Sequence, residues 1–365
     1  MLPSLIGFDL NNFKEMLSAI HAPSFRAKQL YHWLYHHGVR HFDEMKNIPK
    51  DLKDLLLKSH TFNRPSISSI QRSRDGTQKW LLRFDDGNEV ESVFIPEAHR
   101  GTLCVSSQVG CTLTCKFCHT GTQKLVRNLT AGEIVAQVMV ARDVFGEWPT
   151  PQEKTHLTNI VMMGMGEPLF NYEHVKKALL LLMDQEGLGF SKYKITLSTS
   201  GVLPFFEPCA TELGVNLAIS LHATTDELRD HLVPINKKYP LKDLINACER
   251  YATLTNGRRM TFEYVMLNEV NDSVEDAHRL VGLMRGLPVK VNLIPFNPWP
   301  GSGYVRSTDK RIKAFSAIIE KAGYNSPVRR PRGEDVLAAC GQLKSQSERV
   351  FKSRQGEAQK ACHAP

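Results

Sequence analysis

Thr102-Leu-Cys-Val-Ser-Ser-Gln-Val-Gly-Cys-Thr-Leu-Thr-Cys-Lys-Phe-Cys118 is the stretch on which the reading turns. It opens on a short apolar run, 102–106, that reads as a strand, and continues into a loop carrying Cys111, Cys115 and Cys118. Three thiolates on one loop hold a metal centre and leave a coordination position open, whereas four would close a structural site. An iron with an open position binds a substrate through amino and carboxylate groups. The competing reading is zinc, with His119 or another cysteine as fourth ligand. Cys118 and His119 are adjacent, which makes joint ligation of one ion awkward.

Outward from this loop, short apolar runs alternate with longer helical patterns. Strands are expected at 102–106, 157–163, 193–198, 215–220, 260–266 and 288–295. Helices are expected at 130–144, 171–183, 203–212, 240–254, 273–285 and 308–322, the first opened by a capping box from Thr130 to Glu133. Strands alternating with helices imply a parallel sheet with right-handed crossovers. Six units suggest a partial (β/α)6 barrel, with an open doubly wound sheet as the alternative. In either fold the active site lies at the carboxyl ends of the strands.

Before the alternation, residues 1–75 read as a small helical accessory domain. Ala27, Leu30, Tyr31 and Leu34 recur at helical spacing and Gly38 is a stop. His32, Trp33, His36, His37 and Arg40 surround that pattern, either as an RNA-contacting face or as the aromatics of an ordinary amphipathic helix. Residues 76–100 read as an extended hairpin linking to the core, turned at Asp85-Asp86-Gly87. The core runs from 101 to 343, and 344–365 is a polar, basic tail expected to be frayed or disordered.

The 365 residues are 42% hydrophobic and 23% charged, a globular composition, and the net charge of +8 favours an acidic partner such as nucleic acid. No run is long enough to span a bilayer, and Asp9 interrupts the apolar N-terminus, so neither a membrane span nor a signal peptide is expected. A cytoplasmic location follows, where the eight cysteines serve as ligands, nucleophiles or packing residues rather than disulfides.

The spacing C-x3-C-x-aromatic-C resembles the signature of the radical S-adenosylmethionine (SAM) superfamily. Further strings narrow the match: Met162-Met-Gly-Met-Gly-Glu-Pro168, Leu197-Ser-Thr-Ser-Gly201, Ile219-Ser-Leu-His222, Leu293-Ile-Pro-Phe-Asn297, and Arg332-Gly-Glu-Asp through Ala339-Cys-Gly-Gln-Leu343. Together they resemble the radical SAM enzymes that methylate carbon 2 of an adenine in 23S ribosomal RNA and, in many members, in transfer RNA.

The resemblance implies a 4Fe–4S cluster on Cys111, Cys115 and Cys118 and a SAM site formed by Gly166, Glu167, Ser198, Ser220, Leu221, His222 and Asn297. It implies two SAM molecules per turnover. One methylates the sulfur of Cys340; a radical from the other removes a hydrogen from that methyl, and the resulting carbon adds to the adenine ring. Cys104 would resolve the RNA adduct by forming a disulfide, and Glu91 would accept the ring proton. It also implies an electron donor such as flavodoxin and a monomer. Lys124, Arg127, Lys237, Lys238, Arg329, Arg330 and Arg332 are candidate phosphate contacts. Cys209 and Cys248 read as packing residues and Cys362 as a tail thiol. Two alternatives remain: carbon-8 methylation of the same adenine by the related resistance-type enzymes, and a non-catalytic zinc-stabilised RNA-binding protein.

Overall fold

A computed structural model describes residues 2–151 and 155–347. Cys362 and all of the tail beyond residue 347 lie outside the described residues. The first sixty residues form α1 (Leu10–Ala19), α2 (Arg26–Tyr35) and α3 (Lys50–Ser59). Asp9 caps α1, accepting from the Asn12 amide at 2.9 Å. The expected stripe of α2 is buried together with Tyr35, and Gly38 follows at φ +63, a left-handed conformation glycine takes without penalty.

The expected hairpin is β2 (Gln78–Arg83) and β3 (Glu89–Glu97), antiparallel. A strand the sequence did not announce, β1 (Ser66–Arg72), lies inside the segment assigned to the helical unit and pairs with β2. Its side chains are nearly all exposed, so it shows little alternation. β3 also pairs with β4 (Arg100–Cys104). Residues 76–100 are therefore the antiparallel flank of the main sheet rather than a link beside it.

After β4, the short strands β5 (Gln108–Val109) and β6 (Arg127–Asn128) pair with each other across the cysteine loop. β7 (Asn159–Met162), β8 (Ile195–Thr199), β9 (Asn216–Ser220), β10 (Met260–Met266) and β11 (Val289–Pro295) continue in parallel from β4. The nine-stranded order is β1-β2-β3-β4-β7-β8-β9-β10-β11. Its six parallel strands make a partial (β/α)6 barrel. Each strand falls within about two residues of its expected bounds, because a buried parallel strand is a continuous apolar run bounded by turns.

The helices between them are α4 (Ala131–Phe145), α5 (Tyr172–Met183), α6 (Phe206–Pro208), α7 (Asp226–Leu232), α8 (Leu241–Leu254), α9 (Val274–Met284) and α10 (Asp309–Lys321). α4 begins with the capping box expected of Thr130 and Glu133. The single helix expected at 203–212 is instead a 3-10 turn, the one-turn α6 and a π turn at Cys209–Leu213. Pro204 and Pro208 withhold the amides that a regular helix needs. Cys209 and Cys248 are buried in the core. Among the described residues no helix is long and apolar enough to cross a membrane.

Residues 325–329 run alongside β11. Val291 donates to the Asn325 carbonyl at 2.9 Å, Leu293 to Pro327 at 3.0 Å, and Arg329 to Leu293 at 2.8 Å. The chain then crosses to the β1–β2 turn and returns over the carboxyl ends of the strands. This strap carries Cys340.

Candidate active site

The cysteine loop is shaped by backbone. Cys111 donates its amide to Gln123 at 3.3 Å, beside the β5–β6 ladder. Cys118 bonds back to the Cys115 carbonyl at 3.2 Å, and Gly121 to Cys118 at 3.1 Å. A Cβ on Gly121 would stand 2.6 Å from the Cys115 carbonyl oxygen, so only glycine lets the loop close here. Cys111, Cys115 and Cys118 line one cavity of about 970 Å³, mouth included. Among the described residues no three His, Cys, Asp or Glu side chains are gathered as a single-ion site. Three thiolates about one cavity are the donor set of a 4Fe–4S cubane with one iron left open. Burial raises the thiol of Cys111 to about 12 and lifts Cys115 and Cys118 as well, because a dry pocket disfavours the charged thiolate. His119, the candidate fourth zinc ligand, turns away. Its ring stacks on Trp299 at 4.7 Å with Nδ1 3.3 Å from the Gln342 carbonyl.

Opposite the cysteines stands the loop after β7. Gly166 has φ +99, and a Cβ there would press on the Gln108 side chain at 2.5 Å. Glu167 is buried, and burial raises its pKa against the bonds it accepts from Ser200 and Thr199. One oxygen accepts from the Leu169 amide at 3.1 Å and the other from Ser200 at 2.8 Å. A carboxylate has about four acceptor directions, so an ammonium group still finds room. Ser198 and Ser220 also line the cavity.

His222, at φ +60, accepts the Val265 amide on Nδ1 at 3.0 Å. Its proton is therefore on Nε2, on a ring that lines the cavity. Burial, helped by Arg229, lowers its pKa to about 3, so it is a neutral donor at physiological pH. The Asn297 amide donates to the Cys340 carbonyl at 3.3 Å, while its buried Oδ1 has no partner among the described residues. An orphaned buried acceptor calls for a ligand donor, but Asn297 lines the barrel interior rather than the cavity of the three cysteines. Leu221 does not line this cavity: its side chain is in the core, its amide donates to the Glu263 carbonyl at 3.0 Å, and its carbonyl accepts from Arg229 at 3.1 Å.

A second chamber, about 1740 Å³ with its mouth, fills the barrel interior. Cys104 lines it, at the end of β4. Cys340 lines both spaces. Burial among protein atoms raises the Cys340 thiol, an effect Arg329 opposes. Small and apolar as it is, Leu337-Ala-Ala-Cys340 is not part of a helix. It is instead a loop after a 3-10 turn, with Leu337 at φ +50 and Cys340 exposed to the cavities.

Glu91 lines neither space. It forms an ion pair with Lys79 at 2.9 Å and accepts the Lys344 amide at 2.9 Å, while Lys79 also donates to the Leu337 carbonyl at 3.3 Å. The residue expected to accept a proton thus anchors the strap in this conformation. Residues 344–347, expected to begin a frayed tail, are pinned as well: Gln123 donates to Ser345 Oγ at 2.9 Å, and Ser347 Oγ accepts from the Glu89 amide at 2.8 Å.

Two residues went unnoticed in the sequence. Arg229 is wholly buried and donates to the carbonyls of Leu221 (3.1 Å), Ser200 (2.8 Å) and Ser220 (3.0 Å) and to Asn236 Oδ1 (2.9 Å). It bolts together the rims of β8 and β9. In Asp226–Leu232 it looks like one charge of a solvated helix. Glu263 is a single acid inside an otherwise apolar strand, and that interruption was the available signal. Among the basic candidates, Arg127 is already paired with Asp86 at 2.6 Å and Glu133 at 2.7 Å, and Arg332 stands 3.7 Å from Asp75. Lys124, Lys237, Lys238, Arg329 and Arg330 are exposed.

The family profile described as the ribosomal RNA large subunit methyltransferase N-terminal domain matches residues 4–61, and that of the radical SAM superfamily matches 105–281. The chain is 58% identical over 361 residues to the dual-specificity RNA methyltransferase RlmN of Rhodopseudomonas palustris, covering 95% of this chain and 90% of that one. The chain belongs to the RlmN family. The RlmN of Rhizobium meliloti is 57% identical, over 96% of this chain and 90% of that one. Among solved structures, a radical SAM methyltransferase from Sphaerobacter thermophilus superimposes with a TM-score of 0.88 at 44% identity, over 93% of this chain and 99% of that one. Membership in RlmN brings SAM and a 4Fe–4S cluster in general, and the three cysteines and the Glu167 loop are the places they fit.

Proposed function

We propose that this chain methylates carbon 2 of an adenine in 23S ribosomal RNA and in transfer RNA, with Cys340 as the methyl carrier. The observation that carries the reading is that Cys340 borders both the cavity of the three cysteines and the chamber of Cys104. A cluster on Cys111, Cys115 and Cys118, with SAM held by Gly166, Glu167, Ser198, Ser220, His222 and Asn297, supplies methyl groups and a carbon-centred radical. Two SAM molecules serve each turnover, and a flavodoxin-like protein delivers the electron.

The chain's own groups do the rest. Cys340 sulfur takes a methyl, whose carbon, after losing a hydrogen, bonds to the ring. An amidine carbon is no nucleophile, so direct polar transfer fails where radical addition succeeds. Cys104 then attacks the Cys340 sulfur; the sulfur–carbon bond breaks, a disulfide forms, and the released carbon takes a proton to become the product methyl. Between addition and release the adduct loses one electron, which a cluster on the three cysteines would take back, and the ring proton, which Glu91 accepts in a conformation where Lys344 has left it. The chain works as a monomer in the cytoplasm. Carbon 2 rather than carbon 8 follows from kinship with RlmN.

The test is anaerobic reconstitution of wild type and Cys340→Ala with iron and sulfide, then incubation with SAM, a reductant and 23S RNA. Wild type yields 2-methyladenosine by nuclease digestion and mass, and Cys340→Ala keeps the cluster but loses methylation. A colourless zinc protein that leaves SAM intact would overturn the reading.

A further inference from the structure

The chamber beyond Cys340 has a wall unlike the inside of an ordinary barrel, where branched apolar side chains fill the space. Here the inward positions include Thr102, Asn159, Thr196, Thr261, Glu263 and Asn292, contributed by β4, β7, β8, β10 and β11. Polar side chains left facing a cavity imply a polar occupant. Glu263 and Asn292 are register partners across β10 and β11, and the Asn292 amide donates to Glu263 Oε1 at 2.8 Å. Glu263 is only 6% exposed, and its other oxygen takes no bond from the described residues. It lines both spaces, as Cys340 does. The three cysteines of the loop do not reach this chamber, whose rim instead carries Arg329 and Arg330, exposed and without an ion pair among the described residues.

We propose that this chamber receives the target base of the RNA and that the Glu263–Asn292 pair reads its amine edge. The inference rests on the proposed function. The free oxygen of Glu263 accepts from the exocyclic amine of adenine, and the second amide hydrogen of Asn292 is donated to N1. Amine, N1 and carbon 2 follow one another along one edge of the ring, so fixing the first two orients the third. The arginines at the rim face the phosphates on either side of a base taken out of its stack. Guanine is refused because its carbonyl would meet the carboxylate oxygen and its N1–H the amide hydrogen.

The test compares methylation of an RNA oligonucleotide carrying adenine with one carrying purine, which lacks the amine, at the target position. Wild type should discriminate against purine by about tenfold or more, the worth of a base-edge contact. Glu263→Met, of similar length but with no acceptor, should bring the adenine-to-purine ratio close to one. Asn292→Ala should lower it part-way, because Glu263 then loses the bond that orients its free oxygen toward the amine, whereas the lost N1 contact is common to both substrates. A general folding defect slows both substrates together and leaves the ratio unchanged, and Asn292→Ala supplies the reading should Glu263→Met not fold. Wild type that treats purine as adenine, or a ratio unmoved in the variants, overturns the inference. Wild type that methylates neither Cys340 nor either RNA instead overturns the underlying function.

Discussion

The molecule holds its reactive cysteines in two different ways. The loop of Cys111, Cys115 and Cys118 is local: a two-residue ladder, close backbone turns and one obligatory glycine hold it against β4. The strap of Cys340 is held chiefly by side-chain bonds to distant elements. One backbone bond, from the His119 amide to the Gly341 carbonyl at 2.7 Å, and one bond from Thr120 Oγ1 to the Leu343 carbonyl tie it to the cysteine loop. Asp75 accepts the Gly333 amide at 3.1 Å, Asp335 accepts from Arg74 at 3.2 Å, Lys79 and Glu91 hold Leu337 and Lys344, and Gln342 donates to the Pro298 carbonyl at 2.7 Å. Backbone holding gives a rigid seat, which a cluster requires. Side-chain holding gives a segment that lets go one bond at a time, which suits a cysteine that borders two spaces. Low-stability elements of this kind are where functional motion is found.

This contrast can be broken experimentally. The largest effect is expected from Cys104→Ala, which should leave RNA covalently joined to Cys340, seen as a shifted protein band that nuclease trims to a single nucleotide adduct by mass. No shifted band would remove Cys104 from the reaction. Next, Arg229→Leu should lower stability by roughly 3–5 kcal/mol, because it strips donors from three rim carbonyls. Urea unfolding measures this, with iron content falling alongside.

Lys79→Met should act on the strap alone. It leaves Glu91 buried without its cation, which costs about 3 kcal/mol where a buried pair is broken. Hydrogen exchange at 337–347 should rise while iron binding stays at the wild-type level. Equal loosening of the cysteine loop would mean that the two segments are one unit.

The smallest effect concerns acid. Burial alone would raise Asp75, but the hydrogen bonds it accepts from Thr77 and Gly333 outweigh this and hold it at about 2. Its contribution is therefore present above the ordinary carboxylate range and lost as pH falls through about 2. Asp75→Asn should speed exchange of the Gly333 amide by about two- to fivefold at neutral pH, the worth of one net hydrogen bond, and the difference should vanish in strong acid. A difference that persists there would separate Asp75 from the strap.

Local holding is also what a sequence reveals. The cysteine loop and the six parallel strands were legible because each is contiguous: spacing, apolar runs and bounding turns carry the signal. The strap was legible only as a match of strings, because its partners lie some 250 positions earlier, as in the bond from Lys344 to Glu91. β1 escaped because its serines blur the alternation, and the 203–212 segment was misread because helical spacing outweighed two prolines. Arg229 and Glu263 escaped for a common reason. A single charge inside an amphipathic helix or an apolar strand reads as solvated until the fold shows it enclosed. Arg127, conversely, was read as a free cation because its carboxylate at Asp86 comes from a different turn of the sheet.

The segment at 325–329 has a consequence of another kind. A parallel sheet that ends in an open strand offers a template to any extended chain, and proteins guard such edges against aggregation. β11 is guarded by its own downstream chain, which takes the amides of Val291 and Leu293. Shortening the protein before residue 325 would therefore bare an apolar ladder as well as removing Cys340. Such a fragment should be recovered as insoluble material enriched in intermolecular sheet.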